Sequence, residues 1–124
     1  LRDGKDITII ATGLCVSESM EAAKLLAADG IEAQVINIHT IKPIDEEIIV
    51  AAAKKTGRIF TVEEHSIIGG LGSAVAEVLI EQCPTKMNRI GIRDTFGESG
   101  PAKDLLHKYG LDAEGIYNQI KVQL

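Results

Sequence analysis

There is no tryptophan in this chain, and tyrosine and phenylalanine number two each. With aromatics at 3% of 124 residues, the core has to be assembled from aliphatic side chains, within an apolar share of 45%. Isoleucine, valine, leucine and alanine in that role suit helices layered on a buried parallel sheet. Cysteine is nearly absent too. Cys15 and Cys83 stand far apart, in no metal-ligand or redox spacing, and each falls in a helix-like apolar pattern, so both are expected as buried thiols. No apolar run reaches the ~18 residues that a bilayer crossing requires, and the opening LRDGKD has neither the charge order nor the apolar stretch of a secretory signal. Charge of one sign is nowhere gathered. The net −5 comes from acidic residues interleaved with lysines, which argues against a nucleic-acid face and against an anionic-membrane anchor. The chain reads as cytosolic. It begins at Leu1 without an initiating Met, as a piece of a longer or processed chain would. Its length leaves room for one domain, residues 1–124, with a real core, and for no second.

What is present is an alternation of strand and helix patterns. Residues 6–12 (DITIIAT) are a β-branched run, and Val16, Met20, Ala23 and Ala27 then recur at helical spacing until Gly30. Residues 33–38 read as a second strand, closed by Lys42-Pro43. Asp45 is placed to cap a helix over 46–55, with Ile44 and Ile49 at the two staple positions and Gly57 as its stop. A third strand is expected over 58–63, then a glycine-rich turn and a helix over 73–83 that halts at Pro84. Ile90 and Ile92 mark a fourth strand, residues 94–100 a polar loop, and residues 102–109 a short helix ended by Gly110. Asp112 can cap a last helix, stapled by Leu111 and Ile116. Such an alternation predicts an α/β domain with a mostly parallel sheet covered on both faces. The dipeptide Asp3-Gly4, common in tight hairpins, predicts a strand just upstream of it.

The densest motif is residues 62–73, VEEHSIIGGLGS. Gly69, Gly70 and Gly72 let the backbone turn sharply at the carboxyl edge of the sheet, ahead of a helix whose free N–H groups could hold an anion. The dinucleotide fingerprint would need a third glycine where Val75 stands, and no Lys-Ser or Lys-Thr pair completes a phosphate loop. Close packing of the helix is therefore the favoured role of the glycines, with a contact to another subunit or a bound nucleotide as alternatives. His65 follows Glu63 and Glu64, so an imidazole and carboxylates meet where open α/β folds carry functional groups. No serine or cysteine nucleophile has an activating context, and Gly97-Glu98-Ser99-Gly100 lacks the spacing of the hydrolase elbow. Glu63, Glu64, His65, Ser73 and Arg93, together with the three glycines, are thus candidates for interface or anion contacts, with no catalytic residue among them. Arg93 and Asp94 are expected as a surface ion pair. His39, His65 and His107 lie in separate units without zinc-site spacing, so no metal site is expected.

Three segments, Thr40-Ile41-Lys42-Pro43-Ile44-Asp45, Thr61-Val62-Glu63-Glu64-His65 and Gly69-Gly70-Leu71-Gly72, resemble in order and spacing the C-terminal domain of the transketolase superfamily. The resemblance extends from Asp6 through Tyr109-Gly110-Leu111-Asp112. It implies a three-layer α/β/α domain whose mixed sheet has one antiparallel strand, the strand expected upstream of Asp3-Gly4. It also implies that thiamine diphosphate and a divalent metal, magnesium, are held by two preceding domains, an N-terminal and a pyrimidine-binding one. This domain would carry no cofactor of its own and would support a homodimer or split-subunit assembly. The tail, Phe96-Gly97-Glu98-Ser99-Gly100 with Lys108-Tyr109-Gly110-Leu111, looks most like transketolases, which transfer a two-carbon ketol unit between sugar phosphates. Deoxyxylulose-phosphate synthases and 2-oxo acid dehydrogenase beta subunits share the domain and remain alternatives, as does a stand-alone anion- or nucleotide-binding module.

Overall fold

The computed structural model describes residues 2–39, 43–66, 70–92 and 110–124, with the side chains of His65, Ser66 and Ile92 left aside. In chain order its elements are β1 (Ile7–Ala11), α1 (Cys15–Ala28), β2 (Ala33–Asn37), α2 (Glu46–Thr56), β3 (Arg58–Ser66), α3 (Leu71–Gln82), β4 (Lys86–Ile92) and α4 (Ala113–Gln123). The four strands run parallel in the order β2-β1-β3-β4. β1 is central, and all five of its residues are buried, which is why its sequence reads as an unbroken β-branched run rather than an alternation. Neighbouring residues of a strand serve opposite faces. Ile9, Phe60 and Val62 pack with α1 and α4, while Ile10 and Ile59 pack with α2 and α3. The result is the expected three-layer α/β/α arrangement. No helix among the described residues is long and apolar enough to cross a membrane.

Local signals act where the sequence places them. The Asp45 carboxylate accepts the N–H of Ile48 at 3.2 Å, and Gly57, at φ 67°, ends α2 by donating its N–H to the Ala53 carbonyl at 2.9 Å. Asp112 likewise accepts from Gly115 at 3.0 Å, and Leu111 and Ile116 are buried together. Two boundaries differ. β3 continues past Glu63 to Ser66, because pairing with β4 resumes at Ser66 and Ile92 after an irregularity beyond Val62. Helix α3 starts at Leu71, two residues ahead of the expected Ser73. The expected loop 94–100 and helix 102–109 lie outside the described residues.

The amino-terminal expectation needs a correction. Arg2 makes the one antiparallel pairing among the described residues, a bridge in which Val35 donates to the Arg2 carbonyl at 2.9 Å and accepts from its N–H at 3.3 Å. This bridge stands where the mixed sheet was expected to have its antiparallel strand. Asp3-Gly4 is nevertheless no hairpin turn, since β2 intervenes between Arg2 and β1. The chain crosses the start of β2, and Gly4 is the crossing point: a Cβ there would stand 2.3 Å from the carbonyl carbon of Ala33. Asp6 fastens the crossing, its carboxylate accepting the N–H of Glu32 at 2.7 Å.

Candidate functional site

The VEEHSIIGGLGS motif brings the end of β3 against the start of α3. Glu63 is 1% exposed, and its two carboxylate oxygens accept the N–H groups of Leu71 at 2.9 Å and Gly72 at 2.8 Å. These are the first two amides of α3, donors that no turn of helix can satisfy. A carboxylate there also meets the positive end of the helix dipole, which is what makes a buried charge tolerable. The helix can therefore start at Leu71, with Gly70 as its cap residue and without any side-chain cap from the turn itself. Glu63 was expected to face a neighbouring domain or to contact an outside anion; its carboxylate is instead spent inside the chain.

Gly72 sits in the first turn of α3 and is fully covered. A Cβ there would come 2.8 Å from Cδ of Arg89 and 3.0 Å from Oγ1 of Thr61. The missing side chain is what lets the helix lie against β3 and β4. Ser73 follows, half-buried in the same turn. Glu64 is half-buried, with Oε1 lying 2.7 Å from where a Cβ on Gly13 would stand, and Gly13 holds φ 61°. His65 continues the strand. Gly69, Arg93, Asp94 and His107 lie outside the described residues.

The electrostatics around this edge are acidic. Cys15, the first residue of α1, is fully buried, and its thiol is pushed up to about 12 by burial and then by the charges of Glu64, Glu63 and Glu18. That environment suppresses thiolate chemistry. Cys83 is only half-buried, at the end of α3. Glu18 is a contact no sequence pattern signalled: its carboxylate accepts the N–H of Ala113 at 2.9 Å and so ties α1 to α4. At the end of β2, His39 lies 3.4 Å from Asn37 in a cleft of about 210 Å³ that Pro43, Asp45 and Ile48 complete. Among the described residues no group of three His, Cys, Asp or Glu could hold a metal ion. A larger cleft of about 400 Å³ lies away from this edge, between α3 and β4, lined by Leu79, Ile80, Pro84, Met87 and Arg89.

Known proteins agree with this architecture. The family model "Transketolase, C-terminal domain" matches residues 1–116. A 6-deoxy-6-sulfo-D-fructose transketolase subunit, SqwH, from a Clostridium species is 53% identical over 94% of this chain and 36% of its own length. A putative transketolase C-terminal section from Methanocaldococcus jannaschii is 51% identical over the whole chain and 39% of its own length. The 1-deoxy-D-xylulose-5-phosphate synthase 1 of Geobacter sulfurreducens is 47% identical, the match covering 94% of this chain and 18% of the synthase. A solved structure described as a split gene transketolase, inactive beta4 tetramer, superposes with a TM-score of 0.91 at 49% identity, over 97% of this chain and 39% of that one. This chain thus spans under two fifths of the length of these relatives. Strand order, the glycine turn and these likenesses along the whole sequence converge on one assignment: the chain belongs to the transketolase C-terminal domain family.

Proposed function

We propose that this chain, as the single domain 1–124, is the C-terminal scaffold and interface domain of a cytoplasmic transketolase. The whole enzyme would transfer a two-carbon ketol unit from a ketose phosphate to an aldose phosphate. The observation that carries this reading is the ranking of likeness: 53% and 51% identity to a transketolase subunit and section, against 40% to 47% for 1-deoxy-D-xylulose-5-phosphate synthases. The relatives named as subunits or sections favour a split-subunit assembly with the N-terminal and pyrimidine-binding domains, paired as a dimer.

Thiamine diphosphate, with magnesium, supplies the carbanion chemistry of such an enzyme. The described residues do not suit it: Glu63 already fills the helix start that could take a diphosphate, and the donors for a metal are not gathered. No catalytic step is assigned to this chain. Its part is to present the carboxyl edge of the sheet, with Glu64 and His65 at the end of β3, to a neighbouring domain or subunit. The filled helix start also disfavours the stand-alone nucleotide-binding module.

The test is reconstitution with the N-terminal transketolase subunit or domains of the same organism. A stable complex that transfers ketol units between sugar phosphates, and that Glu64→Arg weakens, is the expected result. A complex that instead forms 1-deoxy-D-xylulose 5-phosphate would move the assignment to the synthases. Absence of any complex would remove the scaffold role.

A further inference from the structure

The geometry points to the Glu63-Glu64 pair as a self-occupying plug: the chain's own carboxylates sit where an open α/β sheet receives an anionic ligand, and they close that place to phosphorylated molecules. In open sheets the ligand crevice lies outside the carboxyl ends of the strands, where the connections depart in opposite directions. Here that point is between β1 and β3, because the chain goes from β1 to β2 on one side and then returns to β3 on the other. Two helices begin beside it on opposite faces, α1 after β1 and α3 after β3. Consecutive strand residues also point to opposite faces, so the two glutamates are divided between the two helix starts.

On one face Glu63 takes the N–H groups of Leu71 and Gly72 at 2.9 and 2.8 Å, a two-donor cradle of the kind that holds phosphate oxygens at helix starts. On the other face Glu64 lies against Gly13, and its charge acts on Cys15, the first residue of α1. A further polar atom stands by the first face. The hydroxyl of Thr61 is fully buried, finds no hydrogen-bond partner among the described residues, and lies 3.0 Å from where a Gly72 Cβ would be. The place thus has the donors of an anion site and an anion already in it, covalently supplied. An external phosphate would have to displace a tethered, buried carboxylate while approaching a second one. The plug follows from the geometry of this chain and does not depend on which enzyme the chain serves.

The test compares three forms of the protein, titrating inorganic phosphate and acetate against chloride at equal ionic strength. The wild type is expected to show no rise in Tm beyond that in chloride. Glu63→Ala empties the cradle, so its Tm falls and is then raised by acetate and phosphate, in a saturating way that chloride does not reproduce. Glu63→Gln keeps size and one acceptor but turns an amide NH2 toward the second N–H. The glutamine variant is expected to lose about tenfold in hydrogen-exchange protection at Leu71 and Gly72, with no recovery by either anion. Phosphate stabilising the wild type, acetate and chloride acting alike on Glu63→Ala, or wild-type protection in Glu63→Gln would each overturn the plug. Should Glu63→Ala not fold, exchange in Glu63→Gln decides alone.

Discussion

Helices α2 and α4 are held at their starts by the residue next door, whereas α3 is held from across the fold. Asp45 and Asp112 each sit in the cap position with extended backbone and accept an amide three residues on. The corresponding position of α3 is Gly70, which has no side chain to offer, and the acceptor is Glu63 at the end of the preceding strand. A local cap costs little order and contributes about 1 kcal/mol. A buried carboxylate that accepts two amides contributes more, on the order of 1.5–3 kcal/mol for each charged bond, because losing it strands donors away from water. Constraints between distant residues are therefore the ones whose loss should unfold this domain, and neighbouring ones should be dispensable.

The sharpest way to break that contrast is Glu63→Gln, which is expected to lower the unfolding free energy by about 2–3 kcal/mol in urea titration. A loss as small as that of a local cap would erase the distinction. Gly4→Ala comes next. Its methyl would meet the backbone of Ala33 and Gln34 at the crossing, and overlaps of this kind cost about 1–3 kcal/mol. Asp45→Ala removes a purely local bond and is expected to cost about 1 kcal/mol, read as a shift of the urea midpoint at constant slope. Smallest is Lys24→Ala, which opens the exposed Glu21–Lys24 pair at 3.2 Å and should change stability by under about 0.5 kcal/mol.

Acidity sharpens the same comparison by a different route. Cys15 has a thiol pKa raised in the fold from 9.0 to about 12, so the native state holds its proton more tightly than the unfolded chain. Its contribution to stability is complete below pH 9 and is lost as pH rises toward 12. Alkylation at pH 8 is accordingly expected at the half-buried Cys83 well before Cys15, with mass spectrometry as the readout. Asp29, at the exposed end of α1, behaves oppositely. The Tyr117 hydroxyl first, then Lys121, holds its carboxyl below the usual range, so what it contributes is lost on acidification.

Legibility in the sequence followed the same division. The runs at β1 and β2, the caps Asp45 and Asp112, and the stop at Gly57 could be read because strand propensity, capping and left-handed glycine are properties of a few adjacent residues. Gly4 was misread for an instructive reason: its dipeptide matches a hairpin turn, but the requirement it meets is clearance from the backbone of Ala33, almost thirty residues away. Cys15 was recognised as buried, while the carboxylates that raise its pKa arrive from β3 and from within α1. In the candidate site, the glycine turn and the Glu-Glu-His run were visible as a cluster, and the division of labour within it was not. Glu63 and Glu64 are adjacent in sequence and alike in chemistry, yet one is buried against α3 and the other rests on Gly13.

The sequence by itself determined the alternation of strands and helices, the two-sided burial of the sheet and the family signature, since these rest on periodicity and on residues near one another. Tertiary structure decided what fills the start of α3. Only when β3 and α3 are laid together does the Glu63 carboxylate reach two free amides, and only then does a motif that reads as a place for an anion prove to contain one.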